Sequence, residues 1–213
     1  VTRGCFITVE GIEGVGKSTN LAFIRDWLTR RGLSVLETRE PGGTPFAEEI
    51  RELLLKPRGE GVDPQTELLL IFAARAQHLR GLVEPALARG QWVLCDRFTD
   101  STYAYQGAGR GFDRAQIEQL EQLVQGDLRP DLTLILDIDP ALGLQRAGKR
   151  SQPDRFEGET LAFFERVRQA YRDLARSAPQ RYQLVDASQP LPQVQADLVK
   201  CLEKNLPACP FPT

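Results

Sequence analysis

Eight residues near the amino terminus, Gly11-Ile12-Glu13-Gly14-Val15-Gly16-Lys17-Ser18, have the types and spacing that suit a polyphosphate. They fit G-x-x-x-x-G-K-[ST], in which glycines let backbone N–H groups wrap around phosphate oxygens and a helix N-terminus adds partial positive charge. Lys17 is expected to reach the β- and γ-phosphates, and the Ser18 hydroxyl to hold Mg²⁺. A second chemical group, Asp96-Arg97-Phe98, follows an apolar run. It joins an acid that can order Mg²⁺-bound water to an arginine that can take an anionic acceptor. Regulatory GTPases read guanine through N-K-x-D, and here the two asparagines, Asn20 and Asn205, are each followed by leucine. A second acid beside Asp96, expected of many motor ATPases, is missing. The residues point to an ATP-dependent kinase of a small molecule.

Such groups need a scaffold that brings them to one edge. Short aliphatic runs at Cys5–Val9, Ser34–Thr38, Trp92–Cys95, Leu132–Asp137 and Tyr182–Val185 alternate with helical patterns. Five strands alternating with helices predict a three-layer α/β fold, a parallel sheet covered on both faces. The helical patterns span 17–31, 45–55, 64–79, 82–88, 114–125, 140–146, 160–177 and 191–205. Asp63-Pro64 and Asp139-Pro140 supply an acidic cap followed by proline at the first helical position. Glycine-rich breaks fall at 40–44, 57–61, 106–111 and 148–158, and those after strands two and three lie where ligand loops of such sheets belong. The run Leu68-Leu69-Leu70-Ile71-Phe72-Ala73-Ala74 is apolar around its whole circumference. Either other helices of the chain cover it or a second copy does, and a homodimer is the favoured reading.

The 213 residues suit one domain, 1–206, with a proline-rich tail over 207–213. A net charge of −2 offers no bulk attraction to nucleic acid or anionic membrane, so phosphate recognition has to be local. Cys5, Cys95, Cys201 and Cys209 lack C-x-x-C spacing and read as reduced thiols. With no leader pattern and no membrane-length apolar run, a cytoplasmic protein is expected.

Five segments in order, Glu10 to Thr19, Thr38-Arg39-Glu40-Pro41-Gly42-Gly43-Thr44, Asp96-Arg97-Phe98, Tyr105-Gln106-Gly107 and Asp186-Ala187-Ser188-Gln189-Pro190-Leu191, together resemble the bacterial thymidylate kinases, a family of P-loop nucleoside monophosphate kinases. The resemblance implies transfer of the ATP γ-phosphoryl group to dTMP, giving dTDP and ADP, with Mg²⁺ as cofactor. On the ATP side it implies Gly11, Glu13, Gly14, Val15, Gly16, Lys17, Ser18 and Thr19, with Arg146 flanking adenine and the turn carrying Gln189 and Pro190 closing its other side. Metal contacts fall to Ser18 and Asp96.

For dTMP, the resemblance implies that Arg97 and Arg51 grip the phosphate while Arg39 and Glu40 shape the wall around Pro41. Glu13 meets the sugar 3'-hydroxyl. Arg75 and Gln106 face the thymine, Ser101, Thr102 and Tyr105 complete the pocket, and Tyr105 crowds the 2' side. Family members stack a phenylalanine four residues before the arginine; here Ile71 holds that place and Phe72 lies three before Arg75, so either residue is the cover for the base. The segment 146–157 resembles the family lid, which makes Arg150 the catalytic arginine, with Arg155 next and Lys149 solvated. The implied catalytic set is Lys17, Arg97, Arg150 and Glu13. The acceptor is already an anion and needs no general base, so His78 is read as a helix-surface residue. The competing readings are a deoxynucleoside kinase with Glu40 as base and a non-enzymatic ATP-dependent switch.

Overall fold

The computed structural model describes residues 3–57, 59–148, 156 and 159–206. Five parallel strands form one sheet: β1 (Phe6–Glu10), β2 (Val35–Arg39), β3 (Trp92–Asp96), β4 (Leu132–Asp137) and β5 (Tyr182–Asp186), in the order β2-β3-β1-β4-β5. Every strand boundary lies within one residue of its aliphatic run. Side-chain alternation gives the sheet two apolar faces. Ile7, Val9 and Leu94 pack with α1 (Lys17–Thr29) and α9 (Leu191–Asn205); Phe6, Val93 and Cys95 pack with a π-helical segment, Leu79–Val83, and α4 (Glu84–Ala88). The remaining helices are α2 (Pro45–Leu55), α3 (Pro64–His78), α5 (Thr99–Thr102), α6 (Arg114–Gln125), α7 (Pro140–Ala147) and α8 (Leu161–Ser177). Asp63 and Asp139 cap α3 and α7 as their sequence signals require, accepting from backbone N–H groups one turn in.

Two expectations are corrected. The helix expected over 82–88 begins later, because Leu79–Val83 widens into a π turn that joins α3 directly to α4. The expected break at 106–111 is also largely absent: α5 runs into a second π-helical segment, Tyr103–Gly109. Its glycine serves packing, since a Cβ on Gly109 would stand 2.5 Å from the Phe163 ring of α8. Other helices of the chain cover most of α3. Ile71 and Ala74 pack on Ile50 and Leu54 of α2, and Leu68 and Phe72 pack on Ile117 of α6, leaving Leu69 half exposed. Among the described residues no helix is long and apolar enough to cross a membrane.

The helix that follows the expected lid is pinned to the sheet by charge. Asp137, the last residue of β4, accepts from Arg168 Nε at 2.7 Å and Nη2 at 3.0 Å, and from Arg172 Nη2 at 2.7 Å. Burial pushes the Asp137 carboxyl up, but these two guanidinium groups outweigh it and hold the carboxyl below its ordinary value. Removing the charge in Asp137→Asn should cost about 2 kcal/mol, or about 4–8 °C in Tm at neutral pH. A carboxyl depressed in the folded state contributes fully above its unfolded value and loses that contribution as pH falls through the folded value. Thermal melts should therefore show the gap between wild type and variant narrowing in acid.

Candidate active site

Strand β1 lies between β3 and β4, and at its carboxyl end chain connections depart in both directions across the sheet. That crevice is where open parallel sheets bind ligands. Gly16 caps α1 in the left-handed region (φ 86°, ψ 28°). Gly14 has φ +75°, and a Cβ there would stand 1.9 Å from the Gly143 carbonyl oxygen, so the phosphate loop lies directly against α7. Only the glycine inside that helix hints at this contact in the sequence. Val15 is buried in the core and offers the loop only its backbone, whereas Ser18 and Thr19 are exposed on the first turn of α1.

Lys17 Nζ donates to the carbonyl oxygens of Gly11 at 3.1 Å and Ile12 at 3.3 Å. Burial, followed by the charge of Arg97, pulls its ammonium down to about 8, while Asp96, Glu13 and Glu10 work against the shift. An anion arriving in the loop would supply the counter-charge this lysine lacks.

Opposite the loop, Arg97 adopts φ +66° and is the one non-glycine residue with positive φ among the described residues. Its Nη2 donates to Glu13 Oε1 at 2.8 Å, and the Tyr105 hydroxyl donates to the same carboxylate at 2.8 and 2.9 Å. Residues 13, 97 and 105, distant in sequence, thus meet over the loop. Arg51 Nη1 donates to the Pro41 carbonyl oxygen at 2.9 Å and shares the cavity. Burial, then the neighbouring charges of Arg39 and Arg97, pull its guanidinium below the usual value. Lys17, Arg51, Arg75 and Arg97 line one cavity with the carboxylates Glu13, Glu40 and Asp96, and the excess of positive charge suits an anion.

The inner wall is an ion pair. Glu40, 3% exposed, accepts from Arg75 Nε at 2.6 Å and from His78 Nδ1 at 2.9 Å. Burial raises its carboxyl, yet the Arg75 charge and the His78 hydrogen bond and charge together leave it below its ordinary value. The expectation that His78 lies on the helix surface is corrected: its ring is wholly buried, with Nε2 on Thr38 Oγ1 at 2.8 Å. Arg75 Nη2 donates to Thr102 Oγ1 at 3.0 Å, and Nη1 is buried with no protein partner, although the side chain lines the cavity. Ser101, Thr102, Tyr105, Gln106, Glu40 and Pro41 line the same space. So does Ile71. Phe72 does not: it is buried against Leu68 and Ile117, its ring 4.7 Å from the Arg75 guanidinium, because three residues place it one helical step round from the cavity. Arg39 also turns away, pairing with Glu48 at 2.7 Å.

On the far side of the loop, Arg146 donates to the carbonyl oxygens of Ala187 at 2.9 Å and Ser188 at 3.3 Å, which brings it to the turn that carries Gln189 and Pro190. Arg150, Lys149 and Arg155, and with them most of the expected lid, lie outside the described residues, as does the expected tail over 207–213. Asp96 and Ser18 border one cavity, and Asp96 Oδ1 is buried without a hydrogen-bond partner. A bare carboxylate oxygen beside a hydroxyl and a phosphate loop fits Mg²⁺, which takes one or two protein oxygens and leaves the rest to phosphates and water. The described residues contain no cluster of three or more His, Cys, Asp or Glu side chains placed to hold a metal by themselves.

Three polar residues around the site went unread in the sequence. Glu67, 1% exposed, accepts from Gln106 Nε2 at 2.7 Å and so fixes the amide's orientation. Glu10 and Tyr171 form a buried set behind Arg97. Glu67 immediately precedes the all-apolar run, and an acid at the head of such a helix was a usable signal; for Tyr171, about seventy residues from the site in sequence, none exists.

A profile described as thymidylate kinase matches residues 9–198. The chain belongs to the thymidylate kinase family. The thymidylate kinase of Teredinibacter turnerae is 64% identical over 203 residues, which cover 95% of this chain and 99% of that protein. That of Pseudomonas syringae pv. tomato is 60% identical over 203 residues, 95% of this chain and 97% of the relative. The crystal structure of thymidylate kinase from Ehrlichia chaffeensis superimposes with a TM-score of 0.77 at 34% identity, covering 94% of this chain and 99% of that one. The thymidylate kinase match thus spans the phosphate loop, the 96–106 segment and the Ala187–Pro190 turn.

Proposed function

We propose that this cavity aligns ATP and dTMP end to end and passes the γ-phosphoryl group to the dTMP phosphate, forming dTDP and ADP. The observation that carries the reading is the meeting of Lys17, Glu13 and Arg97 over the loop, with Arg51 and Arg75 in the same cavity. A phosphate acceptor is already anionic, so alignment and charge stabilisation suffice. Glu40, engaged by both Arg75 and His78, has no free role as a base, which disfavours phosphorylation of a sugar hydroxyl.

In this reading Arg97 and Arg51 hold the dTMP phosphate, and Glu13 takes the 3'-hydroxyl. The unpartnered Arg75 Nη1 donates to a thymine carbonyl, Gln106 pairs with the base edge, and Ile71 covers the ring. Tyr105 crowds the 2' side. Gly11 and Gly14 to Thr19 wrap the ATP phosphates, Lys17 neutralises charge at the β- and γ-positions, and Arg146, Gln189 and Pro190 flank the adenine. Arg150 brings a further cation from the lid. Ser18 and Asp96, directly or through water, would hold Mg²⁺, which would offset the phosphate charge. The exposed strip of α3 at Leu69 and Ala73 suits a homodimer, and the thiols of Cys95 and Cys201 suit the cytoplasm.

The test is direct: purified protein with ATP, Mg²⁺ and dTMP, nucleotides separated by anion exchange. dTDP and ADP should accumulate in equal amounts. Preferential turnover of thymidine, or ADP release that does not depend on dTMP, would replace this reading.

A further inference from the structure

Behind Arg97 lies a carboxylate that lines no part of the cavity. Glu10, the last residue of β1, is wholly buried. Its Oε1 accepts from the Phe98 backbone N–H at 2.7 Å. Its Oε2 accepts from Ser101 Oγ at 2.6 Å and from the Tyr171 hydroxyl at 2.8 Å. Those two hydroxyl oxygens, 2.9 Å apart, in turn accept from Arg97 Nη1, at 3.3 and 3.4 Å. One carboxylate therefore acts on Arg97 at both ends. At the backbone it holds the peptide that follows Arg97, whose left-handed conformation costs an L-residue about 1 kcal/mol or more and persists only where neighbours enforce it. At the side chain it draws both hydroxyl protons toward itself, so the oxygen lone pairs that remain face the guanidinium. A charged carboxylate can only accept, and that fixes the direction of every bond in the chain.

We propose that Glu10 is a positioning residue for acceptor capture: its carboxylate sets the backbone of Arg97 and orients Ser101 and Tyr171 so that the Arg97 guanidinium is presented to the dTMP phosphate. The proposal rests on the reading of Arg97 as the acceptor-phosphate residue. Neither Glu10 nor Tyr171 borders the cavity, so their effect reaches the nucleotide through Arg97 and the flanking Phe98 and Ser101, which do. Burial, then Asp100, push the Glu10 carboxyl up to about 7, and Ser101, Arg97 and Tyr171 pull against them, with the Lys17 ammonium also nearby. The acceptor-only, ionised form therefore prevails above about pH 7.

An amide in place of the carboxylate keeps the shape and reverses the hydrogen-bond directions, because its NH₂ must donate to the hydroxyls. Steady-state kinetics at pH 8 on Glu10→Gln should show the KM for dTMP raised about tenfold, with the KM for ATP within twofold of wild type. In an Arg97→Ala background the same substitution should add less than twofold, since its target is gone. Tyr171→Phe, which removes one hydroxyl and retains the ring, should raise the dTMP KM about threefold with the same lack of effect on ATP, and gives a reading if Glu10→Gln does not fold. An unchanged dTMP KM in either folded variant, equal rises for both substrates, or full additivity with Arg97→Ala would overturn the role of Glu10. An Arg97→Ala protein with a normal dTMP KM would instead remove the underlying assignment of Arg97.

Discussion

Lys17→Ala should lower kcat for dTMP phosphorylation about 10³-fold or more while the protein remains folded, with Tm within a few degrees of wild type. The side chain crosses the loop to the Gly11 and Ile12 carbonyl oxygens at 3.1 and 3.3 Å. What disappears is a cation held, in a low-dielectric site, where charge accumulates during transfer. One preorganised donor in such a place is worth about 10²–10³ in rate, and here the donor also carries a full charge. The ammonium is already destabilised in the ligand-free site, first by burial and then by Arg97, so it gains most when a polyphosphate arrives. Single-turnover measurement at saturating ATP separates this effect from weaker binding. A chemical step within tenfold of wild type would place the main charge compensation elsewhere.

What the sequence disclosed and what it concealed divide by the range of the interaction. The phosphate loop, the proline-capped helix starts and the five strands are local patterns, and each is present within a residue or so of its expected place. Concealed features depend on partners far along the chain. His78 lies in an amphipathic position on α3, and nothing near it indicates that Glu40 and Thr38, about forty residues earlier, bury its ring. Glu10 reads as a strand-end acid beside a glycine loop until Tyr171, 161 positions later, turns it into the base of a network. Gly109 belongs to a glycine-rich stretch and looks like a breaker, yet it is there because the Phe163 ring lies where a side chain would be. Composition announces that a glycine is needed, not whether the need is a turn or a close approach. The choice between Ile71 and Phe72 is of the same kind: spacing posed it correctly, and the contact of Phe72 with Ile117 on α6 decides which face each residue takes.

Arg97→Ala is the second large effect, expected to reduce kcat/KM for dTMP about 10²–10³-fold, most of it through KM, with the KM for ATP within twofold. Two losses act in the same direction. On the proposed assignment, charged hydrogen bonds from the guanidinium to the acceptor phosphate would be worth about 1.5–3 kcal/mol each. In addition, Arg97 offsets the charge of Glu13 within the cavity both residues line, 2.8 Å from that carboxylate. Without it, an incoming phosphate dianion meets Glu13 with that offset gone, and like charges at close range disfavour binding further. Tyr105 still donates to Glu13, so the carboxylate itself stays in place and the loop keeps its shape for ATP. Arg97→Lys distinguishes charge from geometry. A lysine restores the cation but cannot bridge Glu13 and phosphate with a planar fork, so it should recover roughly a tenth of the lost efficiency rather than all of it. Full recovery by lysine would mean that only the field matters, and the strained backbone at residue 97 would then need another explanation. A rise in the ATP KM with dTMP unaffected would transfer Arg97 to the donor nucleotide and, with it, the direction in which the two substrates face.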